Sequence, residues 1–165
     1  KYAFKVCRIE PENNVHLILE AFSEYSGLNI VVVGNWNNSN YGKQLKLEFN
    51  TYENIYLLEP IYNQNILNQL RSNCYLYIHG HSAGGTNPSL VEAMYLELPI
   101  LAYDVPYNLE TTHQKALYFN DSKTLTSLLK SVQDHDLVKT SKALKAIADE
   151  FYTWGIITKQ YASLF

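Results

Sequence analysis

The sequence has few of the residues on which several classes of function depend. Its 13 Lys and Arg residues are outnumbered by 16 Asp and Glu residues, so the net charge is −3 and no basic stripe runs along the chain. Nucleic-acid-binding domains neutralise phosphates with such stripes, and this class of partner is therefore disfavoured. The longest apolar stretches have only the length of a β-strand, from which we expect neither a signal peptide nor a membrane span.

Cysteine is also scarce, with two residues in 165. Cys7 and Cys74 both lie in apolar, strand-like runs, and buried free thiols of this kind are typical of a reducing compartment, which predicts a cytoplasmic location. The length suits a single domain. Because the chain opens directly on a predicted strand without an initiator Met, we expect residues 1–165 to be one domain of a longer protein.

Segments of strand length alternate with segments of helical periodicity along the chain. Strands are predicted at residues 2–9, 29–33, 54–58, 74–79, 99–103 and 116–119. Helices are predicted at 15–26, 42–49, 63–72, 89–96, 122–133 and 137–151, with a last helix that begins between 152 and 156 and a polar loop at 106–115. This alternation requires right-handed crossover connections, which place helices on both faces of a parallel sheet. We therefore predict an α/β fold: a doubly wound, mainly parallel, Rossmann-like sheet of about six strands.

The segment 79–94 carries the clearest functional signal. Asn87 is a good N-cap and Pro88 a good first helical residue, while Gly84 and Gly85 let the backbone turn tightly beside a ligand. In doubly wound sheets, ligands bind beyond the carboxyl ends of the strands, where a helix N-terminus presents free N–H groups. This loop therefore predicts a phosphate site, to which Ser89 could add an N–H and a hydroxyl.

Glu92 lies about one helical turn beyond this predicted phosphate site. A carboxylate there would repel phosphate but could accept hydrogen bonds from a sugar hydroxyl, so the pair indicates a nucleotide. The simpler interpretation is a glycine-rich turn with a surface Glu. A P-loop is excluded because Thr86 stands where its Lys would be, and a nicotinamide site is excluded because residues 8–11, after the first strand, contain no glycine.

At these residues the chain resembles the retaining glycosyltransferases of family 4, which have GT-B architecture. The residues that carry the resemblance are 8–22 (RIEPENNVHLILEAF), 85–94 (GTNPSLVEAM) and 98–99 (LP). It covers essentially the whole chain as the C-terminal domain of such an enzyme. The sequence of residues 79–94 most resembles that of a bacterial branch described as rhamnosyltransferases of capsule or other surface polysaccharide.

The resemblance implies a role for individual residues. Arg8 would stabilise the donor diphosphate during transfer and is the implied catalytic residue, Glu92 would bind the ribose hydroxyls, and Glu110 would lie near the donor. The family's Lys falls on Asn13 and the first acid of its acid pair on Gly84, which fits a donor with a different hydroxyl pattern, such as a deoxysugar. Lys43 either replaces the missing Lys or is a solvated surface residue. The full predicted donor-binding set is Arg8, Lys43, Gly84, Gly85, Thr86, Asn87, Ser89, Glu92 and Glu110.

The implied reaction moves a sugar from a UDP- or dTDP-sugar to the hydroxyl of a glycan or lipid-linked acceptor, with retention of configuration. The design needs no metal and no other cofactor. The acceptor would be bound by a missing N-terminal domain, toward which the last helix would pack, so the isolated domain is expected to be an inactive hexosyltransferase half. The full-length enzyme would be cytoplasmic, with peripheral association at the inner face of the membrane as a further option.

Two rival functions remain open. One is a non-catalytic nucleotide-binding domain of the same fold, which Asn13 and Gly84 favour. The other is a metal-dependent hydrolase that uses His79 and His81, whose alternation on one strand gives metal-ligand spacing but leaves a third ligand, Asp104 or His113, to be found.

Several predicted site residues also have simpler structural roles. Arg8 could pair with Glu10, and Ser89 could simply start its helix. Tyr152 and Trp154 could be core aromatics.

Overall fold

The computed structural model describes residues 1–164 of the chain. Within them the strands are β1 (Tyr2–Val6), β2 (Asn29–Val33), β3 (Ile55–Leu58), β4 (Leu76–His79), β5 (Ile100–Tyr103) and β6 (Leu117–Phe119). The α-helices are α1 (Val15–Glu24), α2 (Asn40–Phe49), α3 (Gln64–Ser72), α4 (Pro88–Tyr95), α5 (Pro106–Thr111), α6 (Ser122–Ser131), α7 (Leu137–Phe151) and α8 (Trp154–Ala162). Short 3-10 helices follow β1 (Pro11–Asn13) and α6 (Val132–Asp134).

The strands form one parallel sheet in the order β3-β2-β1-β4-β5-β6. The chain winds outward from β1 to β3, returns to β4 beside β1, and winds outward again in the other direction. The doubly wound, Rossmann-like α/β fold predicted from the sequence is therefore confirmed. Strand order reverses between β1 and β4, and the loops after these two strands consequently border a crevice at the carboxyl edge of the sheet.

Helices cover both faces of the sheet and enclose two apolar cores. One core joins the sheet to α1, α2 and α6 through fully buried residues such as Phe22 and Leu125. The other joins it to α3, α4 and α7 through residues such as Met94 and Leu144. Burial on both faces explains why the strands lack a strict alternation of polar and apolar residues.

The structure differs from the sequence-based prediction in two places near the crevice. The first strand ends at Val6 rather than at residue 9, because Cys7 makes the last ladder bond, to Val33, and the chain then turns into a 3-10 helix. The predicted loop 106–115 contains α5, a helix too short for a hydrophobic period. Its hydroxyl and amide side chains bond the helix and its surroundings internally, as in the 2.7 Å bond from Thr111 Oγ1 to the Tyr107 carbonyl oxygen.

Helix ends differ from prediction by small amounts that capping explains. The second helix begins at Asn40, two residues before the predicted start, because the Ser39 side chain accepts a hydrogen bond from the Gly42 amide. The helix predicted at 122–133 ends at Ser131 and continues as a 3-10 turn. The last helix begins at Trp154, and residue 165 of the predicted domain lies outside the described residues. None of the helices in residues 1–164 is long and apolar enough to cross a membrane.

Candidate functional site

The loops that follow β1 and β4 are joined by asparagine side chains. The amide of Asn13 donates a 2.9 Å hydrogen bond to the Arg8 carbonyl oxygen, while its Oδ1 lies 3.0 Å from Nδ1 of His81. Asn14, in the left-handed conformation, donates to the Gly80 carbonyl oxygen at 2.9 Å. Asn13 is therefore a structural link between the two loops.

A second contact fixes the same two loops further along. Both the amide and the hydroxyl of Ser82 donate to the Glu12 carbonyl oxygen, at 2.8 and 3.0 Å. Gly80 permits the close approach, since a Cβ at this position would collide with the carbonyl oxygen of Asn13. The two loops consequently form one continuous wall at the switch point of the sheet.

Between these loops and the start of α4 lies a cavity of about 320 Å³, here called the β1–β4 cleft. Its size is at the lower end of the range for small-molecule sites. The residues that line it are Lys5, Val6, Cys7, Arg8, Asn13, His79, His81, Asn87, Pro88, Ser89 and Glu92. The cleft thus brings Arg8, Asn87, Ser89 and Glu92 together, as the sequence predicted for one site.

Arg8 stands at the mouth of the cleft, two residues beyond β1. Its side chain is exposed and forms no salt bridge with any residue in 1–164, so the alternative pairing with Glu10 does not occur. An unpaired guanidinium beside a polar cleft is available for a bidentate contact with phosphate oxygens.

The glycine loop before α4 presents backbone amides to solvent. Gly84 and Gly85 have φ values of 21° and 76°, in the region that favours glycine, and neither has a neighbour within 4 Å of the position of a Cβ. Within residues 1–164, the amides of Gly84, Gly85 and Thr86 donate no hydrogen bond to the protein. Three adjacent amides that donate to no group of the described protein are available to an anion.

The expectation of free N–H groups at the start of α4 itself is wrong. Asn87 caps the helix as predicted, but its Oδ1 accepts from both the amide and the hydroxyl of Ser89, at 3.0 and 2.8 Å. The amides of Leu90 and Val91 bond to the Asn87 carbonyl oxygen. The amides of the first turn of α4 therefore already have acceptors within the protein. The amides left free for an anion are those of residues 84–86, in the preceding glycine loop.

Glu92 lies where the β1–β4 cleft meets a larger surface groove. Its Oε2 forms a salt bridge with Nη1 of Arg71, on α3, at a distance of 2.7 Å. The Glu92 side chain is 51% exposed and that of Arg71 only 7%. One carboxylate oxygen is thus held in place by a buried cation while the other faces solvent. Sequence reasoning missed Arg71, since only the tertiary fold brings α3 beside α4.

The larger groove, of about 1190 Å³, separates α3 and α4 from the C-terminal segment; we call it the α4–α8 groove. Thr86, Glu110, Tyr152 and Trp154 line it. Trp154 is 81% exposed, so its interpretation as a core aromatic is wrong, whereas Tyr152 packs against the second core. The predicted residues Thr86 and Glu110 therefore lie beside the β1–β4 cleft rather than in it.

Lys43 is a predicted site residue that lies outside both cavities. It is exposed in the first turn of α2 and belongs to the lining of neither the cleft nor the groove. A different lysine, Lys5, does line the cleft. In the sequence, Lys5 is a lone charge inside an otherwise apolar strand.

His79 and His81 both line the cleft, with ring centroids 6.2 Å apart. Burial, with the nearby Lys5 charge as a smaller cause, lowers the pKa of His79 well below its usual value of 6.5, and burial also lowers the pKa of His81. Both rings are accordingly neutral near pH 7. Among the described residues, no group of three or more His, Cys, Asp or Glu side chains is arranged to hold a metal ion, so the hydrolase hypothesis finds no third ligand there.

Residues 1–146 match the family described as glycosyl transferases group 1. No curated protein matches the chain. Solved structures share its fold at low sequence identity. The C-terminal domain of the group 1 family protein LpcC from Francisella tularensis superposes with a TM-score of 0.74 and 14% identity, over 93% of this chain and 87% of that domain.

Two longer proteins contain the same fold as one part. Alr3699/HepE from Anabaena, solved with UDP and with UDP-glucose, has a TM-score of 0.84 and 17% identity, over 99% of this chain and 48% of its own. Sucrose-phosphate synthase from Thermosynechococcus elongatus has a TM-score of 0.83 and 15% identity, over 99% and 44%. The chain thus spans less than half the length of these two proteins.

Proposed function

The chain belongs to the group 1 glycosyl transferases, and from this membership we propose that it is the donor-binding half of a retaining, family 4 glycosyltransferase. The observation that carries the proposal is the β1–β4 cleft, which an unpaired arginine and a carboxylate fixed by Arg71 line at the switch point of the sheet. Three unpaired amides lie beside it, in the loop that leads into Asn87. These groups match the phosphates and the ribose of a nucleoside-diphosphate sugar.

In this proposal the diphosphate lies between Arg8 and the glycine loop. Its negative charge grows as the bond to the sugar breaks, and preorganised donors that stabilise this charge lower the barrier to transfer. Arg8 and the amides of Gly84, Gly85 and Thr86 would supply those donors. Arg8 would therefore act in catalysis as well as in binding, and no metal is required by this arrangement.

Glu92 would bind the ribose. Because Arg71 holds Oε2, the free Oε1 has a defined position from which it can accept hydrogen bonds from the ribose hydroxyls. Glu110, at the edge of the α4–α8 groove, would lie near the donor sugar. Gly84 in place of an acid fits a donor such as a deoxysugar, consistent with a rhamnosyltransferase-like enzyme of surface polysaccharide synthesis.

The acceptor would be bound by a second, N-terminal domain. None of the residues of α8 is buried, and Trp154 and Tyr161 expose 81% and 66% of their surface. Exposed aromatic residues beside a groove of this size are typical of an interface. We propose that α8 packs toward the N-terminal domain, so that this chain alone is an inactive hexosyltransferase half whose acceptor is a glycan or a lipid-linked sugar. Two free thiols are consistent with a cytoplasmic enzyme, with peripheral membrane association of the longer protein as an additional option.

Calorimetry tests the donor assignment directly. The chain should bind UDP, dTDP or GDP more tightly than the corresponding nucleosides, and Arg8→Ala should remove most of this difference. If nucleosides and nucleoside diphosphates bind alike, or if no nucleotide binds, the proposal is refuted.

A non-catalytic nucleotide-binding domain is the second candidate, because Asn13 links two loops where the family resemblance implies a cation. The full-length protein distinguishes the two: a catalytic enzyme hydrolyses or transfers the sugar of a bound UDP- or dTDP-sugar, and a regulatory domain only binds it.

A further inference from the structure

Lys5 is a charged residue in the middle of β1, the central strand next to the switch point. Only 2% of its surface is exposed. Phe4, the preceding residue, and Val32, its partner on β2, are fully buried hydrophobic residues. Burying an ammonium group is costly unless a counter-charge or several hydrogen bonds compensate it. A lysine at this place therefore requires an explanation.

The described protein provides no partner for this ammonium. No salt bridge and no side-chain hydrogen bond within residues 1–164 involves Nζ of Lys5. Nζ lies in the floor of the β1–β4 cleft, 3.3 Å from where a Cβ of Gly80 would stand. The side chain thus extends from the strand toward the cavity and ends there without a hydrogen-bond partner among the described residues.

The other groups around the cleft leave the same charge uncompensated. Arg8, at its mouth, is unpaired, and Glu92, the carboxylate among its lining residues, is already bound by Arg71. His79, next to Lys5, is 2% exposed and its Nε2 is buried without a hydrogen-bond partner among the described residues. The floor of the cleft therefore contains a cation and an orphan ring nitrogen, both of which an anion with several oxygens could satisfy.

We propose that Lys5 binds the phosphate groups of the nucleotide from the floor of the β1–β4 cleft, opposite Arg8 at its mouth. This proposal rests on the donor-binding function proposed above and adds the residue that supplies its second cation. In the free protein the ammonium faces the cleft and has no partner among the described residues, and the bound diphosphate would supply one. Burial lowers the pKa of Lys5, and a phosphate in contact with it would raise that pKa again.

The test compares Lys5→Met, which keeps the length of the side chain and removes its charge, with Lys130→Met, at an exposed position of α6. Each variant is titrated by calorimetry with UDP, inorganic pyrophosphate and uridine. Lys5→Met should bind UDP and pyrophosphate roughly 10- to 100-fold more weakly, the scale of a hydrogen bond between charged groups, and should bind uridine unchanged. Lys130→Met should match the wild type for all three ligands.

The melting temperature of the free variants adds a readout that separates binding from structure. If Lys5 is retained for its ligand, Lys5→Met should melt at the same or a higher temperature than the wild type, because a buried charge has been removed. A lower melting temperature with unchanged affinity for UDP and pyrophosphate would overturn the proposal and make Lys5 a structural residue.

A measurement on the wild type covers the case in which Lys5→Met does not fold. The ¹³Cε resonance of Lys5 reports its protonation in a pH titration, and pyrophosphate should move the midpoint of that titration to higher pH. Pyrophosphate that binds without moving this midpoint would overturn the proposal.

The outcomes also separate this proposal from the function on which it rests. UDP binding that is unaffected in Lys5→Met overturns the role of Lys5 and leaves the donor site intact. Pyrophosphate binding that depends on Lys5, with no preference for UDP over pyrophosphate, supports the phosphate contact and refutes the nucleotide site. A wild-type chain that binds neither ligand refutes both.

Discussion

Replacing Glu92 by Gln tests the ribose contact with the least change in shape. Arg71 occupies Oε2 at 2.7 Å, so Oε1 is the atom left to accept from a ribose hydroxyl. A hydrogen bond to a charged acceptor contributes about 1.5–3 kcal/mol and one to a neutral acceptor about 0.5–1.5 kcal/mol. We therefore expect Glu92→Gln to weaken UDP binding by about 1–2 kcal/mol, or roughly 5- to 30-fold in Kd.

Pyrophosphate provides the internal control for this experiment. It has phosphates but no ribose, so its affinity for Glu92→Gln should be unchanged or slightly higher once the repulsive carboxylate is neutral. Glu48→Gln, at an exposed position of α2, is the matched variant and should behave like the wild type. Calorimetric titration of the three proteins with both ligands gives the comparison.

The ion pair with Arg71 predicts a second, smaller effect. Since the Glu92 side chain is half exposed, solvent screens the pair, and its loss should lower stability by about 1 kcal/mol or less. This corresponds to a decrease of roughly 2–4 °C or less in Tm. If Tm falls while UDP affinity is intact, or if UDP and pyrophosphate lose affinity equally, Glu92 only fixes α3 to α4 and the ribose contact is refuted.

Further predictions address the other groups of the site. Arg8→Ala should weaken UDP binding by about 1.5–3 kcal/mol and leave uridine binding unchanged, and equal losses would disprove the diphosphate contact. In a product assay the chain alone should transfer no sugar from UDP- or dTDP-sugars; robust transfer would show that no second domain is needed. Because the pKa of His79 is lowered well below 6.5, the unfolded state binds the extra proton first, so Tm should fall as the pH drops from about 7 to about 5. This decrease should be smaller in His79→Gln, and identical slopes would contradict it. Burial raises the pKa of the Cys74 thiol to about 12, so a thiol reagent at about pH 8 should modify it only after unfolding; rapid modification of the native protein would show the opposite.

The fold was accessible to sequence reasoning because each strand is a short apolar run between helical periods. The exception, α5, has six residues and owes its position to Asn108, whose amide donates at 2.9 Å to the carbonyl oxygens of His81 and Tyr103. Such bonds connect residues distant in the chain and leave no periodic pattern. The same reason applies to the salt bridge between Arg71 and Glu92. The two residues are 21 positions apart, so no local pattern in the sequence connects them.

The position of the candidate cleft was also predictable, whereas the amides left free beside it were not. The glycines and Asn87 identified the loop because their backbone conformations are local properties. Which amides remain free is decided by competition, and the Asn87 side chain takes the amide of Ser89 that the sequence had assigned to a ligand. The sequence shows Lys5 as a charge in an apolar strand, but only the tertiary structure shows the cavity that it faces.

The bonds that join the β1 and β4 loops determine where the entropy of ordering is lost. Asn13, Asn14 and Ser82 already fix both loops in the free protein, so their conformational freedom is removed on folding. In the proposed complex, the groups left to be fixed by the nucleotide are the exposed residues 83–86 and the exposed Arg8 side chain. Preorganisation of this kind lets a site convert most of its contact energy into affinity, and for the proposed nucleotide it would leave little latitude in the spacing of the phosphates.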